Sequence, residues 1–344
     1  KRSPRSGGAA LKYFLFGGMS AGFLLFGMSL LYGFSGSIAL GQIAAALGRF
    51  PQDPILIVAM VMVVAGFAFK LAAAPFHMWA PEAYQGAPTW SAAFIASSSK
   101  LASFFALFLV VYLGLMGAAG SADWHGYSVG WAPLLAMLAA ISMLWGNLAA
   151  IAQTSLRRLL AYSATGHAGY MLIALVTHNQ QSLSALLYYV FTYALAAIGA
   201  FGLLSALEQE GVDNLADLSG LGLRAPDLAF CLLIFLLSLA GIPPLAGFFG
   251  KFYVFVSALH TANSFGLFWL VMLALVMSAI SLFYYLRVLK YVYVREPAAP
   301  ASAVAAPVLT RVTLWSIAGL LVLLGCAPGL LLGRIAAALS VAWR

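Results

Sequence analysis

Along most of this chain the polar positions do not alternate with apolar ones. They punctuate long apolar runs, and nine of those runs reach the ~20 residues that a helix needs to cross a hydrocarbon layer. They lie at 9–32, 54–74, 89–114, 128–152, 158–177, 181–207, 228–258, 264–292 and 309–332. A shorter run at 38–48 ends at Arg49 and is expected to be an interfacial piece. Connections are short; the longest polar segments are Glu208–Asp227, which holds most of the acidic residues, and an Ala/Pro-rich linker around Pro297–Pro307. The pattern predicts an all-α polytopic membrane protein of about nine transmembrane helices.

Two of these helices are expected to be broken. Pro75, followed by Pro81, interrupts the run that contains Lys70, and Pro243-Pro244, followed by Gly247 and Gly250, interrupts the run that contains Lys251. A proline removes a backbone donor and clashes with the preceding turn. Within a membrane such breaks are tolerated where the freed carbonyls face protein or a wet cavity. Either break alone also fits a kink that eases packing. Two breaks, each a few residues from a lysine, point instead to a transport site between inverted repeats.

Composition narrows the class. Of 344 residues, 64% are hydrophobic and 8% charged, with mean hydropathy +1.00, more apolar surface than a soluble fold can cover. The net charge of +8 is spread over loop ends without a nucleic-acid motif, so membrane anchoring explains it. With the first residues cytoplasmic, that side holds Lys1, Arg2, Arg5, Arg157, Arg158, Arg224, Arg287, Lys290, Arg295 and Arg311, against Arg49, Arg334 and Arg344 opposite. This bias predicts a cytoplasmic N-terminus and a periplasmic C-terminus. Cys231 and Cys326 are isolated in spans, so no disulfide framework, zinc site or iron–sulfur site is expected. The Gly7-Gly8 and Gly17-Gly18 pairs lack a strand–turn–helix context, so no nucleotide site is expected. KRSPRSGG is basic without the arrangement of a signal peptide, and the chain starting at Lys1 reads as part of a longer product.

The candidate chemistry lies in the apolar runs. Lys70, Lys100 and Lys251 have no acidic residue on their own stretches, and an ammonium at the bilayer centre costs roughly 2.5–3.5 kcal/mol on insertion scales. Such residues default to an ion or proton path. For Lys70 the alternative is snorkelling to the interface. Lys100 follows Ser97, Ser98 and Ser99 and precedes Ser103, whose hydroxyls can bind an ammonium or hold water. His77 and His167 are candidate proton relays, or helix–helix hydrogen-bonding groups. Glu82, after the first break, is a gate or a cap. His125, His178 and His260 fall at loop edges as ordinary surface residues, and Arg157 and Arg158 read as cytoplasmic anchors. Trp79, Trp90 and Trp131 read as interfacial anchors.

In order, the segments FKLAAAPFHMWAPEAYQGAP, ASSSKLASF, GNLAAIAQTSLRRLLAYSATGHAGYML and LSLAGIPPLAGFFGKFYVF resemble the antiporter-like membrane subunit N of respiratory complex I, the NADH–quinone oxidoreductase. YQGAP and SSSK are more similar to subunit N than to the related L and M subunits or to cation/proton antiporters. The resemblance implies a fourteen-helix fold with two inverted five-helix repeats, of which this chain is helices 6 to 14. The resemblance then implies that residues 1–344 form a single membrane domain, with 9–114 the remainder of the first repeat, 128–292 the second repeat and 309–332 a C-terminal transmembrane helix.

It further implies that Lys70 is the broken-helix lysine of the first half-channel, Lys100 the connecting lysine and Lys251 the broken-helix lysine of the second. The family pairs the first lysine with a helix-5 glutamate, which falls before residue 1. Gly8 stands where many members carry a glutamate. The implied activity is proton translocation by a lysine/water relay coupled to quinone reduction elsewhere in the complex. The chain itself is expected to hold no redox centre, with NADH, FMN, iron–sulfur clusters and quinone in partner subunits. Expected partners are the A, J, K, M and L type membrane subunits, lipid, and a separate chain supplying the N-terminal helices, with no nucleic acid. The expected location is the bacterial inner membrane. Two alternatives stand beside this reading, a redox-independent sodium/proton antiporter subunit and a structural paralogue in a complex I-like assembly.

Overall fold

A computed structural model describes residues 4–47, 53–208, 212–259, 266–296 and 306–342. Lys1, Arg2, Arg49, His260, Arg344 and most of the linker around 297–307 lie outside the described residues. Among the described residues eight helices are long and apolar enough to cross a membrane. They are α1 (Pro4–Ser35), α3 (Pro54–Leu71), the span Thr89–Gly114, α7 (Trp131–Ile151), α8 (Leu156–Thr177), α9 (Gln180–Leu207), α13 (Phe268–Tyr293) and α14 (Val308–Cys326). The span Thr89–Gly114 comprises α5 (Thr89–Phe94), a π-wound turn Ile95–Ser99, α6 (Lys100–Leu109) and a second π-wound turn Val110–Gly114. The predicted run at 228–258 is a broken pair, α11 (Pro226–Ala240) and α12 (Ala246–Leu259). The short run at 38–48 yields α2 (Leu40–Leu47), a helix of eight residues.

The remaining helices are short: α4 (Ala80–Gly86), α10 (Leu221–Arg224) and α15 (Gly329–Ala342). The last predicted run ends earlier than 332. Pro328 supplies no backbone donor, so α14 stops at Cys326 and the chain restarts as α15.

Burial varies widely among the spans. Of the eight spans, α8 is the least apolar and almost wholly buried, whereas α1 buries little of its surface. A helix surrounded by protein can carry Ser163, Thr165 and His167; one facing hydrocarbon has to satisfy its surroundings with Leu and Phe. The tightest partner of α8 is α7. A Cβ on Gly146 would lie 2.4 Å from the backbone nitrogen of Gly166, so at this crossing only glycine lets the two backbones meet.

The loops sort into two groups. On one side Ser6 donates to Gly86 O, Thr89 to Glu208, Leu215 N–H to Thr154 O and Gly220 N–H to Tyr291 O. On the other, Ser121 and Ser128 bridge each other, while Trp124 N–H and Trp269 Nε1 donate to Gly266 O and Ala122 O. Alternating spans therefore return to the same two surfaces. The described basic side chains Arg157, Arg158, Arg224, Arg287, Lys290, Arg295 and Arg311 belong to the first surface.

Candidate functional site: a buried lysine, histidine and tyrosine thread

The second helix break builds one end of the site. Helix α11 ends at Ala240, Gly241 adopts φ 85°, and the Pro243–Pro244 peptide is cis before α12 begins at Ala246. Gly241 is needed twice over. Its left-handed backbone favours glycine, and a Cβ there would lie 3.0 Å from Lys251 Cδ. One carbonyl that α11 leaves open, that of Ala240, is met by a side chain, and serine hydroxyls accept from the groups around it. Lys251 Nζ donates to Ala240 O at 2.9 Å and to Ser278 Oγ on α13 at 2.9 Å, and Gly247 N–H donates to Ser238 Oγ. A cation at a helix C-terminus is also favoured by the helix dipole. Lys251 lies 5.0 Å from the centroid of the Tyr170 ring and is only 5% exposed. A cleft of about 290 Å³, lined by Lys251 and Ser278 among mainly apolar side chains, reaches it from the α12–α13 side.

Lys100 forms the opposite end. It begins α6 directly after the π-wound turn, a local widening that often marks functional positions. It is 1% exposed, donates to Ala164 O on α8 at 2.6 Å, and lies 5.2 Å from the Tyr193 ring centroid. Two neighbouring serines bind their own helix instead of the ammonium: Ser97 donates to Ala93 O and Ser103 to Ser99 O.

Between the two lysines stands His167, buried in the middle of α8 and within electrostatic reach of both. Its Nδ1 pairs with Tyr189 Oη at 2.8 Å and its Nε2 with Tyr285 Oη at 3.2 Å. A phenol can donate or accept, so either tautomer and the imidazolium can be satisfied without moving the ring. The thread continues from Tyr285, whose hydroxyl is in short contact with Ser163 Oγ, to the neighbouring ring of Tyr284 at 4.5 Å between centroids. Tyr284 donates to Asn147 Oδ1 at 3.0 Å, and Asn147 Nδ2 donates to Tyr170 Oη at 3.0 Å. Tyr170 is the ring over which Lys251 sits.

The first break assembles less. Helix α3 ends at Leu71, Ala72 takes φ 53°, and the Ala74–Pro75 peptide is cis. Ser142 on α7 accepts from Ala74 N–H at 2.8 Å, and Trp79 Nε1 donates to Phe69 O at 3.1 Å. Lys70 falls in the last turn of α3 and is exposed, with its ammonium 6.0 Å from the Phe69 ring centroid. Among the described residues that face of the helix end is uncovered. His77 is 2% exposed, against Trp145 and Tyr162. Neither ring nitrogen makes a hydrogen bond of ordinary geometry, and the Pro75 carbonyl is the backbone group facing it. Glu82, in the first turn of α4, pairs with Lys12 of α1 at 2.5 Å at a partly exposed position. Of the six predicted site residues, the structure joins Lys100, His167 and Lys251 into one thread and places Lys70, His77 and Glu82 around the other break.

Several other expectations change. Trp79 and Trp131 are core residues whose indole N–H groups bond Phe69 O and Leu115 O, while Trp90 is exposed as an anchor would be. Arg157 is mostly buried and pairs with Glu208 at 3.5 Å. His178 caps α8 with φ 38°. Asn147, Ser163, Tyr170, Tyr189, Tyr193, Tyr284 and Tyr285 were not singled out from the sequence. Their only signal was polar atoms within apolar runs, as in LWGNLA and LFYYLR, which does not say whether they face lipid or each other. Among the described residues no group of three His, Cys, Asp or Glu side chains can hold a metal ion.

A polytopic helical fold with two broken helices, and buried lysines linked by amphoteric side chains, defines an antiporter-like membrane protein. Residues 1–281 match the family model described as NADH:quinone oxidoreductase/Mrp antiporter, transmembrane, and the chain belongs to that family. It is 62% identical over 332 residues to NADH-quinone oxidoreductase subunit N 2 of Acidobacterium capsulatum, covering 96% of this chain and 67% of the relative. Subunit N of Desulforamulus reducens is 44% identical over 290 residues, covering 84% of this chain and 58% of that protein. Among solved structures, a chain of respiratory complex I from Thermus thermophilus with bound aureothin is similar at a TM-score of 0.79 and 39% identity. That match covers 96% of this chain and 69% of that one. The chain thus spans roughly two thirds or less of the curated relatives' length.

Proposed function

We propose that this chain is a proton-translocating membrane-arm subunit of an NADH–quinone oxidoreductase, moving protons through a lysine, hydroxyl and water relay while quinone is reduced elsewhere in the complex. The observation that carries the reading is the thread itself. Two buried ammonium groups meet backbone carbonyls, hydroxyls and aromatic faces, and a histidine able to hold either tautomer stands between them. Coulomb repulsion between charges in a low-dielectric interior disfavours loading both lysines and His167 together, which suits a path where protonation alternates. Lys100, His167 and Lys251 are the stations. Lys70 joins them from the exposed end of α3, where a carboxylate from another segment or subunit would meet it, and His77 and Glu82 flank that entry.

The same reading takes 9–114 as part of one inverted repeat and 128–292 as the other; each contains a broken helix. It also places the arginine-rich surface in the cytoplasm of a bacterium, with the chain in the inner membrane. NADH, FMN, iron–sulfur clusters and quinone belong to partner subunits, and the neighbours are complex I membrane subunits of the A, J, K, M and L types. Replacing Lys100 with Ala in the assembled complex, followed by proton uptake and NADH–quinone turnover in sealed vesicles, tests it. Pumping per electron is expected to fall; an unchanged ratio removes the relay. The family also includes Mrp antiporters. Sodium-driven proton flux without an electron donor would favour that second reading.

A further inference from the structure

Asn147 lies on α7 at the crossing with α8, where the glycine contact brings the two helices together. A Cβ on Gly166 would stand 3.0 Å from its Nδ2. The side chain is 1% exposed, and both its N–H groups and its carbonyl oxygen have partners. Nδ2 donates to Met143 O at 2.7 Å and to Tyr170 Oη at 3.0 Å, and Oδ1 accepts from Tyr284 Oη at 3.0 Å. The orientation of this amide is fixed by chemistry. A backbone carbonyl can only accept, so the atom facing Met143 O has to be the NH₂ group.

That choice propagates. With Oδ1 toward Tyr284, the hydroxyl proton of Tyr284 is pinned on Asn147, and its oxygen is left to accept from the Tyr285 and Ser163 side. With Nδ2 toward Tyr170, the Tyr170 oxygen accepts, and its own proton is free to point onward. Hydroxyls elsewhere in the thread can reverse by rotating, but an amide held by a carbonyl cannot. We infer that Asn147 is a positioning residue that polarises the middle of the tyrosine thread: Tyr284 is held as donor to the amide and Tyr170 as acceptor from it, so both hydrogen bonds donate in one sense, from Tyr284 toward Tyr170. Because the amide cannot turn over, it does not pass a proton and reset; it fixes which of its two phenols offers a donor and which an acceptor to the proton path. This inference rests on the proposed proton path.

The test uses the whole complex in sealed vesicles. Asn147→Asp keeps shape and the acceptor for Tyr284. Its ionised form has no donor for Tyr170 or Met143 O, and its protonated form restores one. Protons pumped per electron are expected to fall roughly tenfold at about pH 8 and to recover toward the wild-type ratio at about pH 6, a pH profile that tracks the engineered carboxyl. A wild-type ratio at both values overturns the inference. So does an equal loss at both, because a packing defect has no such profile. If the Asp variant does not assemble, Tyr284→Phe and Tyr170→Phe decide. Each removes one hydroxyl, and the second keeps the ring beneath Lys251. Loss of pumping per electron with normal assembly in both supports the polarised thread, and a wild-type ratio in either overturns it. Lys100→Ala, run in parallel, separates the two readings: normal pumping there sinks the proton path itself, whereas lost pumping there with a flat Asn147→Asp profile sinks the polarity alone.

Discussion

Lys251 sits where α11 runs out of partners for its own backbone, and its ammonium fills the place of a missing N–H at the Ala240 carbonyl. One side chain thus serves both the fold and the proposed path, and the two can be separated by measurement. Lys251→Met retains the aliphatic stem but leaves a buried carbonyl open, a loss of about 1–3 kcal/mol. A lower melting temperature of the purified complex and a lower pumped-proton ratio are both expected. Ser278→Ala removes only the second acceptor, so its effect on melting is expected to be smaller. His167 offers a cleaner residue-scale contrast. His167→Gln keeps hydrogen-bonding atoms between Tyr189 and Tyr285 but cannot titrate. Assembly close to wild type is expected, with proton pumping reduced by a factor on the order of 10² if the imidazole carries the proton.

At the scale of elements, the site depends on how closely α7 and α8 approach and on how α11 is broken. Gly146→Ala would push a methyl to 2.4 Å from the Gly166 backbone nitrogen, where no side-chain rotation can relieve it. Overpacking of this kind costs ~1–3 kcal/mol, so less assembled subunit in membranes is expected. Gly7→Ala, with nothing within 4 Å, is the matched control and is expected to leave the amount unchanged. Gly241→Ala combines a left-handed backbone with a methyl against Lys251 Cδ, so it is expected to disturb pumping as well as stability. These elements were partly legible in the sequence. Prolines and glycines announced both breaks, since a missing donor or a missing Cβ has local consequences. The ends were less so: α3 already stops at Leu71, four residues before Pro75, where Ala72 N–H closes on the Ala68 and Phe69 carbonyls, Ala74 N–H goes to Ser142 of α7, and the Trp79 indole donates to Phe69 O.

Across the whole molecule, alternating spans bring the basic loop ends to one surface and leave the other with few charges. That arrangement is testable without reference to proton flow. With a membrane-impermeant thiol reagent, His125→Cys is expected to label from the outside of intact cells, and Arg295→Cys only after the membrane is opened. Both positions are exposed. The reverse pattern would invert the assignment of sides. The outer surface of α1 and α14 carries large exposed apolar side chains such as Phe14, Phe26, Val308 and Leu309, as expected of helices that meet lipid or neighbouring subunits.

By itself the sequence determined that this is a polytopic helical membrane protein, that two helices break, and that lysines lie within apolar runs. Each of these follows from local chemistry: run length against bilayer thickness, proline's missing N–H, and the cost of a charge in hydrocarbon. Tertiary structure alone decided which lysines are buried. Lys100 and Lys251 are enclosed by other helices, while Lys70, in an equally apolar run, is exposed. It also decided that Asn147 and the tyrosines at 170, 189, 284 and 285 converge on His167. Those residues come from four different helices, and a polar atom in an apolar run gains its meaning only from the partner packed against it.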